Sequence, residues 1–563
     1  MNTIIAPLLI AVVFLLLGSG PVVAAETKPA DDCTGPLSVY VRCKPFVLTP
    51  TSGGATIDVT FGTRKVSDKA TVNYTVSIAP QKSALGTSAV FTSSGEVTAV
   101  SGKFPPATLS WPATASNGKR LRDGGYRVEV RARLSDPAGK VKSGDGMADS
   151  TVVVANGGVI SKLKTGGGAI FAAGSAKAPN KSQFAGFPYN FYYGSTHGHT
   201  RYSDGGVPCD VCQGSEYGHP GGAEPKDAFK YARKEGLLDF FAIIEHNHLL
   251  SKSCSDCSSD AAVKAVYKRG FDQSLNATEP GKFVAVYGME WGVIKKGGHV
   301  NVYNQPKLIS WPKTPRDVEV PQSDYKKLYT AVKKNQPAEG SYMCFNHPKL
   351  ADFNGFAISD DGKKFVTGLA VISGPAFTNV EDFSGKPDKD HVGVFKKALT
   401  IGWKVAPEAH QDNHCWNYGT STSTRTVALI PSDTQLDLQS LMSAFGARRI
   451  YASEDANAQL KFATTDGEHI MGESFSSPRD VNLVVAVADP DGEDTERIEI
   501  WGGPVTGNQS GKVKKLAVIE GESELKTAIE SGEDGEEWFY FAVAQQGDGD
   551  RIWSAPMWVT WDE

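Results

Sequence analysis

The sequence predicts an α/β barrel set between two all-β regions. Two observations lead there. Residues 26–156 and 476–563 alternate apolar and polar side chains at period two, with Gly, Pro and Ser between the runs. Residues 191–475 instead alternate short continuous apolar runs with amphipathic segments of helix length, the pattern of strands buried on both faces. All eleven histidines fall in this middle region, so the candidate chemistry lies there and not in the flanks. A chain of 563 residues with 40% apolar content supports several cores. A net charge of −5 with no basic stripe excludes nucleic acid and anionic membrane as expected partners.

Taken in order, Ile4 to Leu17 is apolar apart from Pro7, and Val23-Ala24-Ala25 offers small residues for cleavage after Ala25. Residues 1–25 therefore read as a signal peptide. The rival is an uncleaved anchor, because no Lys or Arg precedes the run. The run is shorter than the ~20 residues a span needs, and no later stretch is long and apolar enough. The mature chain is expected in the periplasm or outside the cell, with no integral membrane segment. Eight cysteines then read first as disulfides: Cys33 with Cys43, Cys209 with Cys212, and Cys254 with Cys257. Structural zinc on the two Cys-x-x-Cys units is the alternative. Cys344 and Cys415 either pair with each other or fill the core.

Residues 56–61, 70–76 and 125–133 alternate as sandwich strands, and the Gly- and Ala-rich residues 157–190 read as a linker. Beyond it, Pro225 opens a helix that stops at Gly236. Strands are expected at 238–244, 283–287, 299–303, 342–345, 368–372, 404–406 and 426–430. Helices are expected at 261–275, at 392–401 and after a Ser323 cap. A helix at 438–445 and strands at 449–452 and 459–463 close the middle region. Residues 481–487, 496–501 and 538–544 read as strands of a second sandwich.

The chemistry collects at strand ends. His197 and His199 stand two apart, so in extended chain both imidazoles face one point, and Asp204-Gly205 adds a carboxylate on a turn. Later expected strands end in Glu245-His246-Asn247, Gly288-Met289-Glu290, Asn346-His347-Pro348 and His410-Gln411-Asp412-Asn413-His414, while Gly297-Gly298-His299 opens another. One such histidine is ordinarily a core or surface residue. Six segments that each supply His, Asp or Glu point to metal.

The order of these motifs resembles the polymerase-and-histidinol-phosphatase (PHP) superfamily. The likeness rests on His197-Gly198-His199-Thr200-Arg201-Tyr202-Ser203-Asp204-Gly205, then Glu245-His246-Asn247, Glu290, His347-Pro348 and Asp412-Asn413-His414. It covers about residues 191–475. The likeness is greatest to exported members with flanking sandwiches and to related hydrolases of carbamate esters. It implies a distorted (β/α)7 barrel and two or three divalent ions, zinc, manganese or iron. The implied ligands are His197, His199, Asp204, His246, Glu290, His299, His347, Asp412 and His414. Glu245 departs from the usual Asp and would act behind the ligands. His410 is additional, as an acid or base or as a support for Asp412. Arg201, or else Arg425, would face a phosphate. The implied activity is metal-dependent hydrolysis of a small phosphoester, since bound divalent ions acidify water and polarise the scissile group. A carboxylic or carbamate ester is the alternative substrate. A glycan-binding or adhesion protein with a relict barrel is the non-enzymatic alternative.

Overall fold

The structure is a computed structural model that describes residues 37–44, 47–48, 55–62, 66–80, 89–112, 114, 124–139, 143–154, 180–253, 259–292 and 297–562. The expected signal peptide and most of the expected linker lie outside these residues. So do Cys33, Cys254 and Cys257 and the side chain of Cys43.

In the N-terminal region the strands are β1 (Ser38–Lys44), β2 (Val47–Leu48), β3 (Ala55–Gly62), β4 (Thr71–Pro80), β5 (Phe91–Thr98), β6 (Ala107–Trp111), β7 (Gly124–Ser135) and β8 (Gly144–Val154). They form two sheets, ordered β1-β3-β6 and β2-β8-β7-β4-β5. Alternate residues such as Ile57, Val59, Val72, Val76, Val128 and Val130 bury one core of their own, as the period-two pattern requires.

The middle region begins with β9 (Tyr189–Ser195), α1 (Pro225–Lys234), β10 (Phe240–His246), α2 (Leu250–Ser253) and α3 (Asp260–Ala277). It continues with β11 (Val284–Trp291), β12 (His299–Tyr303), β13 (Ile309–Ser310), β14 (Val318–Glu319), α4 (Tyr325–Asn335) and β15 (Tyr342–Asn346). Next come α5 (Asp352–Phe356), α6 (Asp360–Phe365), β16 (Val366–Ser373), β17 (Lys389–Asp390) and α7 (Val392–Ile401). It ends with β18 (Ala406–His410), β19 (Arg425–Pro431), α8 (Leu438–Gly446), β20 (Ile450–Ser453) and β21 (Gln459–Thr464). The C-terminal strands are β22 (Ser474–Ser477), β23 (Val481–Ala488), β24 (Thr495–Pro504), β25 (Lys514–Glu520), β26 (Glu524–Ile529), β27 (Glu537–Gln546), β28 (Arg551–Ser554) and β29 (Met557–Trp561).

One large mixed sheet stands where a distorted (β/α)7 barrel is expected, and the described residues form no closed barrel. Its path runs β17-β16-β15-β12-β11-β10-β9-β19-β20-β28-β27-β24-β25, and β18 joins it at β16. The β9, β10 and β11 pairings are parallel, and so are those of β15, β16 and β18, but β12 is antiparallel to both neighbours. The reason is local. Only Gly292 to Gly298 separates β11 from β12, too short for the crossover a parallel pair needs. At the far edge β18 returns against β19 without a backbone ladder. The Thr426 side chain bridges them, accepting from the Ala409 N–H at 2.9 Å and donating to its carbonyl at 2.8 Å.

Both faces of the sheet are buried, which explains the continuous apolar runs. In β10, Phe241 and Ile243 join one core while Phe240, Ala242 and Ile244 join the other. Each core also takes residues of the C-terminal strands, Phe539 and Phe541 on one side and Tyr540 and Ala542 on the other. The β20–β28 pairing thus makes the C-terminal strands a continuation of the same sheet.

Helix α1 follows its signals. Pro225 stands in the first turn, and Glu224 and Asp227 close a reciprocal cap worth ~1 kcal/mol. The α4 cap is Asp324 rather than the expected Ser323: Asp324 accepts from Lys327 N–H, and Ser323 takes a left-handed turn at φ 67°. The strand expected at 404–406 instead runs to His410. It tolerates Pro407 because β16 is its one ladder partner.

Candidate metal centre

Past β9 the chain stays extended. The Ile244 N–H donates to Gly198 O at 2.9 Å, and the His199 N–H to Asn413 O at 2.8 Å. The i, i+2 geometry then brings the Nε2 atoms of His197 and His199 to 2.9 Å. A turn follows in which Gly205 N–H donates to Thr200 O. A side chain at Gly205 would strike the His199 backbone, so glycine lets the turn fold back and present Asp204. Glu245 fixes this turn, accepting from the hydroxyls of Thr200 and Ser203 and from Thr200 N–H. It is fully buried, and burial pushes its carboxyl up to about 7.

The sheet register sets the rest. His246 and Glu290 are partners across β10 and β11, Glu290 lies opposite Asn301 of β12, and His299 lies opposite Asn346 of β15. Parallel strands contribute their C-terminal ends and antiparallel β12 its first residue, so all reach one rim. Glu290 is the hub. Its carboxylate lies 2.5 Å from His299 Nδ1, 3.1 Å from His246 Nδ1, 3.4 Å from His347 Nε2, 3.5 Å from His199 Nε2 and 3.6 Å from His197 Nε2. Asp412 lies 3.2 Å from His199 and 3.5 Å from His197. Asp204 lies 3.6 Å from His414, 3.9 Å from His246 and 4.0 Å from His199. All nine expected ligands therefore meet. His347 and Asp412 hold positive φ, 27° and 57°, backbone strain of the kind concentrated at functional sites.

The electrostatics suit cations. Burial opposes ionisation of Glu290, Asp412 and Asp204, yet the surrounding imidazoles outweigh it and hold all three carboxyls well below the usual range. Burial pushes His246 down to about 3. His414 goes the other way, to about 9, because Asp204 and Asp412 outweigh its burial. The donor atoms of His199, Asp204, His246 and His414 all lie within 4.8 Å of one another. The same holds for His197, His199 and Glu290, and for His246, Glu290 and His299. Asp204 Oδ1 is buried without a hydrogen-bond partner, and so is His246 Nδ1 despite its approach to Glu290. Buried nitrogen and carboxylate donors with unmet valence fit divalent metal.

Other expected site residues stand elsewhere. Arg201 is 39% exposed and turns to Glu224 at 3.5 Å. Arg425 is buried and spends its guanidinium on the carbonyls of Gly419, Thr422 and Thr424. Among the described residues, every ion pair of Asp204, Glu290 and Asp412 is with histidine. The turn containing Arg201 is bound through its backbone, which leaves the side chain to the surface. His410 packs edge-on to His197 at 5.0 Å, fully buried, and neither of its ring nitrogens has a partner. Burial keeps it neutral, and it does not support Asp412 through a hydrogen bond. Sequence reading missed two asparagines. Asn346 donates to Glu290 at 2.6 Å, and Asn301 lies 3.1 Å from His197 Nδ1. The signal was available, since Asn301 shares a face with His299 two residues before it. The rim is aromatic: exposed Phe377 lies 4.6 Å from the His414 ring, and Trp311 lies 5.2 Å from His248.

Among the described residues the disulfide is Cys212–Cys415, with Cys209 and Cys344 free, which corrects the expected Cys209–Cys212 pair and the Cys344–Cys415 pair offered beside it. Tertiary pairing decides it. Val207 N–H donates to His414 O and Trp416 N–H to Val207 O, which sets the two Cα atoms 5.7 Å apart. No helix among the described residues is long and apolar enough to cross a membrane.

No protein-family model and no curated protein matches the chain. Solved structures similar to it include the FMN-binding beta-glucuronidase from Facaelibacterium prausnitzii L2-6, at 10% identity over 93% of this chain and 75% of that one, TM-score 0.18. The Bacteroides uniformis beta-glucuronidase is 9% identical over 93% and 62%, TM-score 0.18. A chitin binding domain from Burkholderia pseudomallei is 11% identical over 23% and 67%, TM-score 0.13. TM-scores of this size do not describe a shared fold.

Proposed function

We propose that the chain is an exported, multinuclear metal-dependent hydrolase of ester bonds, as its likeness to PHP enzymes implies. One observation carries the reading: nine His, Asp and Glu side chains between His197 and His414 meet in one buried cluster, with five of the histidines on the Glu290 carboxylate and Asp412, Asp204 and His414 joined to it through His197, His199 and His246. On this reading the consecutive strands β9, β10, β11, β12, β15, β16 and β18 are the seven strands of a distorted barrel left open beside β19.

Divalent ions held by these nine residues would acidify water and polarise the scissile group. The chain's own residues do the remainder. Glu290 and Asp412 stay ionised and supply the negative charge that retains cations. Asn346 and Asn301 fix the orientation of Glu290 and His197. His410, the imidazole without a partner, is the group we assign to proton transfer. Phe377 and Trp311 offer apolar surface to a substrate. The phosphoester reading follows from the family likeness. The carboxylic or carbamate ester reading is favoured by one observation: both candidate arginines are committed elsewhere.

Metal analysis of the purified protein, with nitrophenyl phosphate, phosphodiester, acetate and carbamate substrates, tests the proposal. Turnover of one class is expected, with Asp412→Ala and His414→Ala folded but at least ~100-fold slower. Less than one metal per chain together with no turnover of any substrate overturns it, in favour of a non-enzymatic glycan-binding or adhesion role.

A further inference from the structure

A second set of acidic groups lies apart from the Glu290 hub, where three connections meet. Asp455 lies between β20 and β21, Asp489 and Glu493 join β23 to β24, and Asp550 closes the β27–β28 hairpin. One carboxylate oxygen each of Asp455, Asp489 and Glu493 lies within 4.8 Å of the others. Oxygens bound ~2.4 Å from one ion can be no farther apart than about this. Carboxylates alone are common on surfaces, so the atoms around them decide the matter.

Three buried side-chain oxygens here have no hydrogen-bond partner: Gln546 Oε1, Asn457 Oδ1 and Asp550 Oδ2. Their residues are 1%, 4% and 5% exposed. The Gln546 side chain reaches into the set through Nε2, which donates to Asp489 Oδ2 at 2.6 Å and lies 3.4 Å from Glu493 Oε2; a 180° turn of the planar amide exchanges Nε2 for the unpaired Oε1 and presents an oxygen to a bound cation. The Asn457 amide lies against Asp491, with Nδ2 at 2.7 Å. Buried oxygens of this kind are ordinarily paired, and a cation among them would satisfy several at once. Positive charge nearby is scarce. Lys386 pairs with Asp550 Oδ1 at 2.9 Å, and Arg551 is turned to Glu454 and Asp390. Burial, then the mutual charges of Asp455, Asp489, Asp491, Glu493, Asp548 and Asp550, raises the carboxyls of Asp455, Asp489, Glu493 and Asp550. Against these stand Lys386, on Asp550, and the buried guanidinium of Arg425, on Asp455, two positive charges against six carboxylates.

We propose that Asp455, Asp489, Glu493 and Asp550, with the amide oxygens of Gln546 and Asn457, form a calcium site that ties the C-terminal strands to the metal-bearing sheet. The set is all oxygen, so it selects a hard cation, in contrast to the nitrogen-rich hub. Flexible carboxylates and amides from three loops suit calcium better than the rigid octahedron of magnesium. Lys386 belongs to the segment whose Ala376 O accepts the His414 N–H.

The test uses the full chain, stripped with chelator and titrated with calcium chloride in a calorimeter, together with thermal melts in calcium and in EGTA. One calcium per chain beyond any bound at the hub is expected, with Tm higher by about 5 °C in calcium. The Asp412→Ala variant keeps both effects, because it alters the hub alone. Asp489→Asn with Glu493→Gln loses both, yet melts in EGTA no lower than the wild type, because it removes crowded charge. The single Asp489→Asn variant weakens binding at least ~10-fold. Absence of the extra calcium and of the Tm shift in the wild type overturns the proposal, and so does survival of both in the double variant.

Discussion

Replacing Cys212 and Cys415 by alanine removes a covalent tie that closes a loop with a sequence separation of 203. In the chain-entropy treatment of cross-links, a loop this long restricts the unfolded ensemble by ~5 kcal/mol at 25 °C. The effect reaches the candidate metal centre. Cys415 follows His414 directly, and the same segment carries Asp412 in its strained left-handed conformation. Without the bridge, backbone hydrogen bonds to Val207 and Ala376 would position both ligands. The expected outcome is a loss of ~5 kcal/mol in unfolding free energy and a loss of metal affinity of about 10-fold or more. The assay is urea unfolding of metal-stripped protein followed by tryptophan fluorescence, then metal titration of each variant. A difference below ~1 kcal/mol with unchanged metal affinity would refute the reasoning, for neither the loop entropy nor the ligand positioning would then depend on the bridge.

Further predictions concern single residues. Glu408 is fully buried above Gly368, where a side chain would collide with its carboxylate, and burial pushes it up to about 7. The folded protein therefore holds a proton there that the unfolded chain releases near pH 4.5. The associated stability is complete below that pH and is lost as pH rises through about 7. Glu408→Gln should make metal-stripped protein more stable than wild type by up to ~3 kcal/mol at about pH 8.5, with little change at about pH 4.5, as urea unfolding would measure. A pH-independent difference would contradict this. Arg201→Ala should leave kcat/KM within about twofold of wild type, since the side chain faces Glu224; a loss of about 100-fold would return it to the site. Phe377→Ala should raise KM severalfold with kcat nearly unchanged, as removal of exposed apolar surface beside His414 predicts.

Much of the centre was legible in the sequence because its residues follow strand geometry. His197 and His199 share a face by chain period alone, and the apolar runs of β10 and β11 announce where His246 and Glu290 emerge. The turn at Asp204-Gly205 and the cap of α1 were equally local. Asn346 and Asn301 were accessible by the same face argument once β12 and β15 were placed. What escaped was anything that depends on which strands pair. The antiparallel course of β12 puts its first residue, His299, on the rim with the last residues of its neighbours. The β20–β28 pairing makes the C-terminal strands part of the central sheet. Arg201 looked available because its motif neighbours are candidate ligands, yet its own turn directs it to Glu224. Cys212 meets Cys415 because Val207 pairs beside it.

The sequence by itself determined the kinds of donor, their order and the strand ends that display them, because these obey short-range periodicity and turn chemistry. The tertiary structure alone decided the sheet that does not close, the disulfide partner, the placement of the arginines and the acidic set at Asp455, Asp489 and Glu493. Each of these is a contact between segments far apart in the chain. Such contacts are fixed by the burial and hydrogen bonding of the whole sheet, which no local pattern encodes.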